Sequence, residues 1–219
     1  MKKRVKANTN LSLTFEPTFN GKRIYQSEDG TVVEYLESME GVLDKAFCEY
    51  GRLLVVRFDL RYPDLPTVFP QNSDITEFFK KLDYQFSAER MKRIKRSGRA
   101  HPCTTRGFWC IEQYKSPNPH YHVALVLNDA FFGLLGRFNG NDKSLAHFIQ
   151  LSWARVLGIE LADLTGLVNF VDNGTYRLRR ADGADSQEFQ DMFYRVSYLA
   201  KLKTKHYGDH KKSFGSSRK

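Results

Sequence analysis

Apolar residues recur at helical spacing through Val33, Leu36, Met39, Val42, Leu43 and Phe47, behind a start rich in acids. This predicts an amphipathic helix over residues 27–50. Residues 52–61 (Arg-Leu-Leu-Val-Val-Arg-Phe-Asp-Leu-Arg) begin as a continuous apolar run and then alternate, the pattern of a strand. Tyr62-Pro63-Asp64-Leu65-Pro66 ends it. Residues 74–97 read as a long amphipathic helix whose last turns turn basic. Two strands follow, 105–114 and 120–127. The connection Lys115-Ser116-Pro117-Asn118-Pro119 has the length and turn chemistry of a hairpin. A helix over 143–157, a short strand over 167–171 and a final helix over 185–205 complete the pattern, while residues 1–26 are polar and irregular. Few strands alternate with helices as βαβ units. The order therefore predicts an α+β fold, a central and largely antiparallel sheet flanked by helices. The expected organisation is an N-terminal arm (1–26), one domain (27–205) and a basic C-terminal tail (206–219).

Composition adds an anionic partner to this picture. The 219 residues carry a formal net charge of +9, a balance that favours nucleic acid. The charge is concentrated: Arg90, Lys92, Arg93, Lys95, Arg96, Arg99 and Arg106 fall in a stretch with no acid, and the segment from Lys201 onward has Asp209 as its one acid. Cys48, Cys103 and Cys110 form no Cys-x-x-Cys pair, so neither a zinc knuckle nor a disulfide framework is indicated. No apolar run is long enough to span a bilayer, and the basic start lacks the apolar core of a secretory signal. These features imply a cytoplasmic chain with no membrane partner.

The chemistry-bearing segment is Asn118-Pro119-His120-Tyr121-His122-Val123-Ala124. In a strand, alternate residues share a face, so His120 and His122 project together while Tyr121 packs on the other side. Glu112 lies eight residues upstream, on the strand expected to pair with the histidines. Two imidazoles and a carboxylate suit a divalent ion and leave positions open for substrate oxygens. A register slip of one would substitute Gln113. On the last helix, at about 100° per residue, Tyr194, Tyr198, Lys201 and Lys205 form one stripe. Phe189, Met192, Phe193, Val196, Leu199 and Ala200 cluster opposite. A lysine one turn from a tyrosine favours phenolate and can contact phosphate.

This ordered set resembles the HUH endonuclease superfamily. The similarity is greatest to replication initiators with two tyrosines spaced Tyr-x-x-x-Tyr, the filamentous-phage (inovirus) and microvirus-type rolling-circle proteins and their prophage relatives. It runs from Leu53 to Lys205, and Tyr198-Leu199-Ala200-Lys201-Leu202-Lys203-Thr204-Lys205 is especially similar to the prophage relatives. The resemblance implies an RRM-like, ferredoxin-like topology and a Mg²⁺ or Mn²⁺ ion on His120, His122 and Glu112. It also implies a tyrosine that attacks DNA, leaving a 5′-phosphotyrosine and a free 3′-hydroxyl. Tyr198, followed three residues later by Lys201, matches the first nucleophile, and Tyr194 matches the partner used for a second transfer. The lysine often found three residues after the first tyrosine is Ser197 here. Strand Val55 to Arg61 occupies the place of the family's first motif, whose role is mainly structural, and Asp59 could approach the site.

The expected substrate is single-stranded or origin DNA, with Arg93, Arg96, Lys203 and Lys205 on its phosphates. No helicase segment is visible, so unwinding would fall to a separate host helicase. Two other readings stay open: a transposase or relaxase with the same chemistry, and a non-catalytic nucleic-acid-binding regulator on the same fold.

Overall fold

The computed structural model of the chain describes residues 3–113, 118–132, 144–203, 205 and 212–218. Strands β1 (Lys3–Val5) and β2 (Asn8–Thr14) pair antiparallel; after the two-residue strands β3 (Thr18–Phe19) and β4 (Lys22–Arg23), β5 (Thr31–Val32) joins β2. The segment read as irregular thus contains a small sheet, in which Val5, Leu11, Leu13 and Val32 form their own apolar cluster. Because Thr31 and Val32 are in that sheet, helix α1 (Val33–Glu49) starts six residues later than its periodicity suggested.

Strand β6 (Arg52–Arg61) and helix α2 (Asp74–Ser97) have the expected bounds. Gly98, at φ 75°, closes α2 in the left-handed conformation and donates its N–H to the Ile94 carbonyl. β7 (Arg106–Glu112) and β8 (His120–Asn128) follow; Tyr114 to Pro117 of the expected hairpin lie outside the described residues. Then come α3 (Leu145–Leu157), β9 (Val168–Arg179), α4 (Gln187–Ser197) and β10 (Phe214–Ser216). Strand β9 runs well past the expected 167–171. Strand β10 lies within the stretch read as a tail and pairs along the edge of β7.

The main sheet has the order β10-β7-β8-β6-β9, with every pair antiparallel. The architecture is α+β, a five-stranded antiparallel sheet with four α-helices among the described residues. Strand alternation gives each face its own core. On one face, Leu54, Val56, Phe58 and Leu60 of β6 and Tyr121, Val123, Leu125 and Leu127 of β8 pack against α2 and α3. On the other, Leu53 and Val55 of β6, Phe108 and Cys110 of β7, and Ala124 and Val126 of β8 pack against α1 and α4. Tyr121 is buried on the first face beside Trp153, as alternation required. No helix among the described residues is long and apolar enough to cross a membrane.

Helix α4 ends at Ser197, eight residues before its expected limit, and a single 3-10 turn (Tyr198–Ala200) follows. No proline or glycine stops it. Tertiary pairing does: Lys201 bridges Thr31 of β5, and the Leu202 N–H donates to the Gly30 carbonyl at 3.0 Å. Extended pairing with the N-terminal sheet outweighs the helix propensity of Leu, Ala and Lys. Lys201 and Lys205 are consequently not on a helical stripe with the tyrosines.

Candidate metal and tyrosine site

The face covered by α1 and α4 changes character partway along its strands. On β6 the apolar Leu53 and Val55 give way to Arg57 and Asp59, on β7 Phe108 and Cys110 give way to Glu112, and on β8 Val126 and Ala124 give way to His122 and His120. Antiparallel register brings these polar ends together. Glu112 lies directly opposite His120, and His122 lies between Cys110 and Asp59. The register places Glu112, not Gln113, on the histidine face.

One ligand atom each from Glu112, His120 and His122 falls within 4.8 Å of the others. The two Nε2 atoms are 3.2 Å apart, and His122 Nε2 is 3.3 Å from Glu112 Oε2. His122 Nδ1 contacts Asp59 Oδ1 at 2.6 Å. That contact fixes the ring and aims Nε2 at the cluster, the usual arrangement of a carboxylate behind a metal-binding imidazole. Burial, then the neighbouring His122, push the His120 imidazole below its ordinary pKa, keeping it neutral and able to donate a lone pair. Burial alone would raise both carboxyls. For Glu112 the His122 hydrogen bond and the charges of Lys205 and Lys201 outweigh it, and for Asp59 His122 and Arg57 do. Both stay well below the ordinary carboxylate range. Two imidazole nitrogens, one of them oriented by Asp59, beside an ionised carboxylate form a donor set that fits a divalent cation.

Two ammonium groups hold Glu112: Lys201 Nζ lies 3.1 Å from Oε2 and Lys205 Nζ 3.0 Å from Oε1. Lys201 also donates to the Tyr198 hydroxyl and lies over that ring, 3.7 Å from its centroid. Tyr198 packs edge-on to His122, with ring centroids 5.8 Å apart. Tyr194 is farther out, 40% exposed, with the Arg23 guanidinium 5.4 Å from its ring centroid. Ser197, where a second lysine would stand, is buried; its hydroxyl donates to the Tyr194 carbonyl (2.8 Å) and accepts from the Tyr25 N–H (2.7 Å). Tyr25 in turn packs on both tyrosines, with centroids 5.0 Å from Tyr198 and 6.2 Å from Tyr194.

A cleft of about 860 Å³ adjoins this cluster, floored by β6 and β9 and walled by α4. A bulge in β9 shapes its floor: Val56 pairs with Thr175 but Phe58 with Phe170. Within the bulge Asn173 sits at φ 52°, and a Cβ on Gly174 would come within 2.7 Å of the Val171 carbonyl oxygen and 3.0 Å of that of Arg57. Only glycine lets the two backbones approach this closely.

The structure therefore brings together Glu112, His120, His122, Tyr198 and Lys201, with Tyr194 in the same cleft. The other basic residues singled out by sequence are elsewhere. Arg93 is on α2, across the sheet, where it binds Glu89 and the Phe131 carbonyl; Arg96 is exposed on the last turn of that helix, and Lys203 is exposed. Lys205, expected on a DNA phosphate, buries its side chain against Glu112. Sequence reasoning let Asp59 approach the site without assigning it a role, and gave Arg57 none. Their signal was present: two charges on alternate positions of an otherwise buried strand. Tyr25 carried no such signal, since only the fold brings it to the tyrosines.

The fold and site define an α+β protein with a five-stranded antiparallel sheet whose polar end gathers a His/Glu cluster beside two tyrosines. By sequence the chain belongs to the YagK/YfjJ C-terminal domain family, whose model matches residues 14–217. It is similar to two Escherichia coli (strain K12) proteins described as uncharacterized. YagK is 29% identical over 204 residues (89% of this chain, 98% of YagK), and YfjJ is 31% identical over 207 residues (89% of this chain, 99% of YfjJ). No solved structure matches.

Proposed function

We propose that the protein is an HUH-type endonuclease that nicks and rejoins single-stranded DNA and initiates rolling-circle replication, with Tyr198 as nucleophile. The observation that carries this reading is Lys201, which touches both the Tyr198 hydroxyl and Glu112 of the His/Glu cluster. Nucleophile and candidate ligand set are thereby held in one network. Glu112, His120 and His122 would hold Mg²⁺ or Mn²⁺, which supplies electrophilic polarisation of a phosphate oxygen. The remaining work falls to the chain. Asp59 keeps His122 oriented, and the ammonium of Lys201 meets the charge that develops on the Tyr198 oxygen during attack. That oxygen bonds to phosphorus, the P–O3′ bond breaks, and the phenolic proton passes through solvent to the leaving 3′ oxygen. A 5′-phosphotyrosine and a free 3′-hydroxyl result, and attack by the hydroxyl reverses the step. The formal charge of +9 suits a polyanionic substrate, and strand separation comes from a separate helicase.

The test is denaturing electrophoresis after incubation with labelled single-stranded DNA and Mn²⁺. Wild type should give a covalent protein–DNA species, absent in EDTA and in Tyr198→Phe. An adduct that persists in Tyr198→Phe removes the assigned nucleophile. Unchanged cleavage and Mn²⁺ binding in His120→Ala removes the metal assignment.

A further inference from the structure

The cleft beside the cluster has its own chemistry. Its volume of about 860 Å³ lies within the ~300–1,000 Å³ of small-molecule sites. Its lining carries both signs: Arg57 paired with Asp59 next to His122, and Glu188, Asp191 and Arg195 on α4. With Arg23 3.7 Å from Asp191, cations and carboxylates balance at both ends, so the cleft suits an uncharged group. Tyr194 of α4 also lines the cleft, with Arg23 packed on its ring and 40% of its surface exposed. The β9 bulge turns Asn173 into the same cleft, and Asn169, directly opposite Asp59 in register, joins it. Aromatic surface with carboxamides and an arginine is the equipment used to hold an unstacked nucleotide.

Tyr194 also lacks what Tyr198 has. Lys201 donates to the Tyr198 hydroxyl, whereas among the described residues no group bonds that of Tyr194. Ser197, at the position where a cation would serve it, is committed to backbone bonds with Tyr194 and Tyr25.

We propose that Tyr194 is a stacking platform for the nucleobase next to the scissile phosphate, its edge read by Asn169 and Asn173, and not a second nucleophile. The assignment rests on the single-stranded DNA reading of the adjoining site. The rim carboxylates accept from exocyclic amines, which cytosine, adenine and guanine carry and thymine lacks. The subsite therefore disfavours thymine.

Fluorescence anisotropy in EDTA, with single strands of about 16 nucleotides, measures this without turnover. Tyr194→Ala should bind oligo(dC) about tenfold more weakly than wild type, the size of one lost base–aromatic stack, and Tyr194→Phe should restore binding. Wild type should prefer oligo(dC) to oligo(dT). An abasic scan of the strand, read with the wild-type protein, should show the same tenfold loss at one position. Equal binding by Tyr194→Ala, a flat abasic scan, or no wild-type binding in EDTA overturns the subsite. In Mn²⁺, a Tyr194→Phe protein that binds normally but cannot pass its bound strand to a second acceptor shows Tyr194 to be a nucleophile and overturns the assignment. A tenfold loss in Tyr194→Ala with no Tyr198 adduct in wild type removes the nicking reading and leaves the subsite standing.

Discussion

The two faces of the main sheet obey different rules over the same strands. The face under α2 and α3 is apolar along the whole of β6, from Leu54 through Val56 and Phe58 to Leu60, and helices cover it throughout. The opposite face is apolar only beneath α1 and α4; beyond them Arg57, Asp59, Glu112 and His122 are still buried, but each has a charged or polar partner. Buried charge is tolerated only when paired. One face is therefore an unbroken apolar core, whereas the other joins an apolar core to an end of buried, paired charges.

That division should show first in stability. Phe58→Ala, on the covered face, should cost about 3–5 kcal/mol, as large-to-small changes of buried aromatics do, while leaving Mn²⁺ affinity of the folded protein unchanged. Urea unfolding and calorimetric titration read the two quantities, and a stability loss below 1 kcal/mol would show that this core does not stabilise the sheet. Next in size is Asp59→Asn on the polar end. Loss of the carboxylate behind His122 should weaken Mn²⁺ binding about 10–100-fold; unchanged affinity would mean that the contact orients nothing.

A smaller effect comes from acid. The folded carboxyls of Asp59 and Glu112 lie below their ordinary values. Their contribution to stability is complete above the unfolded values, near 3.9 for Asp and 4.3 for Glu, and fades as pH falls through the folded ones. Stability of the wild type should drop more steeply below about pH 4 than that of Asp59→Asn, and parallel curves would refute the linkage. Smallest is Tyr198→Phe, which keeps the ring packed on His122 and Tyr25. It should change stability by no more than about 0.5 kcal/mol, so a larger shift in urea midpoint would mark the hydroxyl as structural.

Long periodic elements were the most legible from sequence. β6 and α2 matched residue for residue, since a strand bounded by Tyr62-Pro63 and a helix closed by Gly98 carry their own ends. The His/Glu grouping was legible for a related reason: alternation within β8 and a short connection to β7 leave few registers. What escaped depended on contacts distant in sequence. Leu11 and Leu13 offer too short an alternation to announce β2. The end of α4 is decided by Gly30 and Thr31, some 170 residues earlier in the chain — a partner no local pattern predicts. Lys205 was misplaced for the same reason, because its position follows from where that helix stops.

Lys201 has one ammonium group and two clients. Its proton donors serve the Tyr198 oxygen and a Glu112 oxygen at once, so the two sites are thermodynamically linked. Whatever draws Glu112 toward another cation changes how tightly the Tyr198 oxygen is gripped, and by reciprocity whatever occupies that oxygen changes the grip on Glu112. The side chain works as a balance arm between carboxylate and phenol.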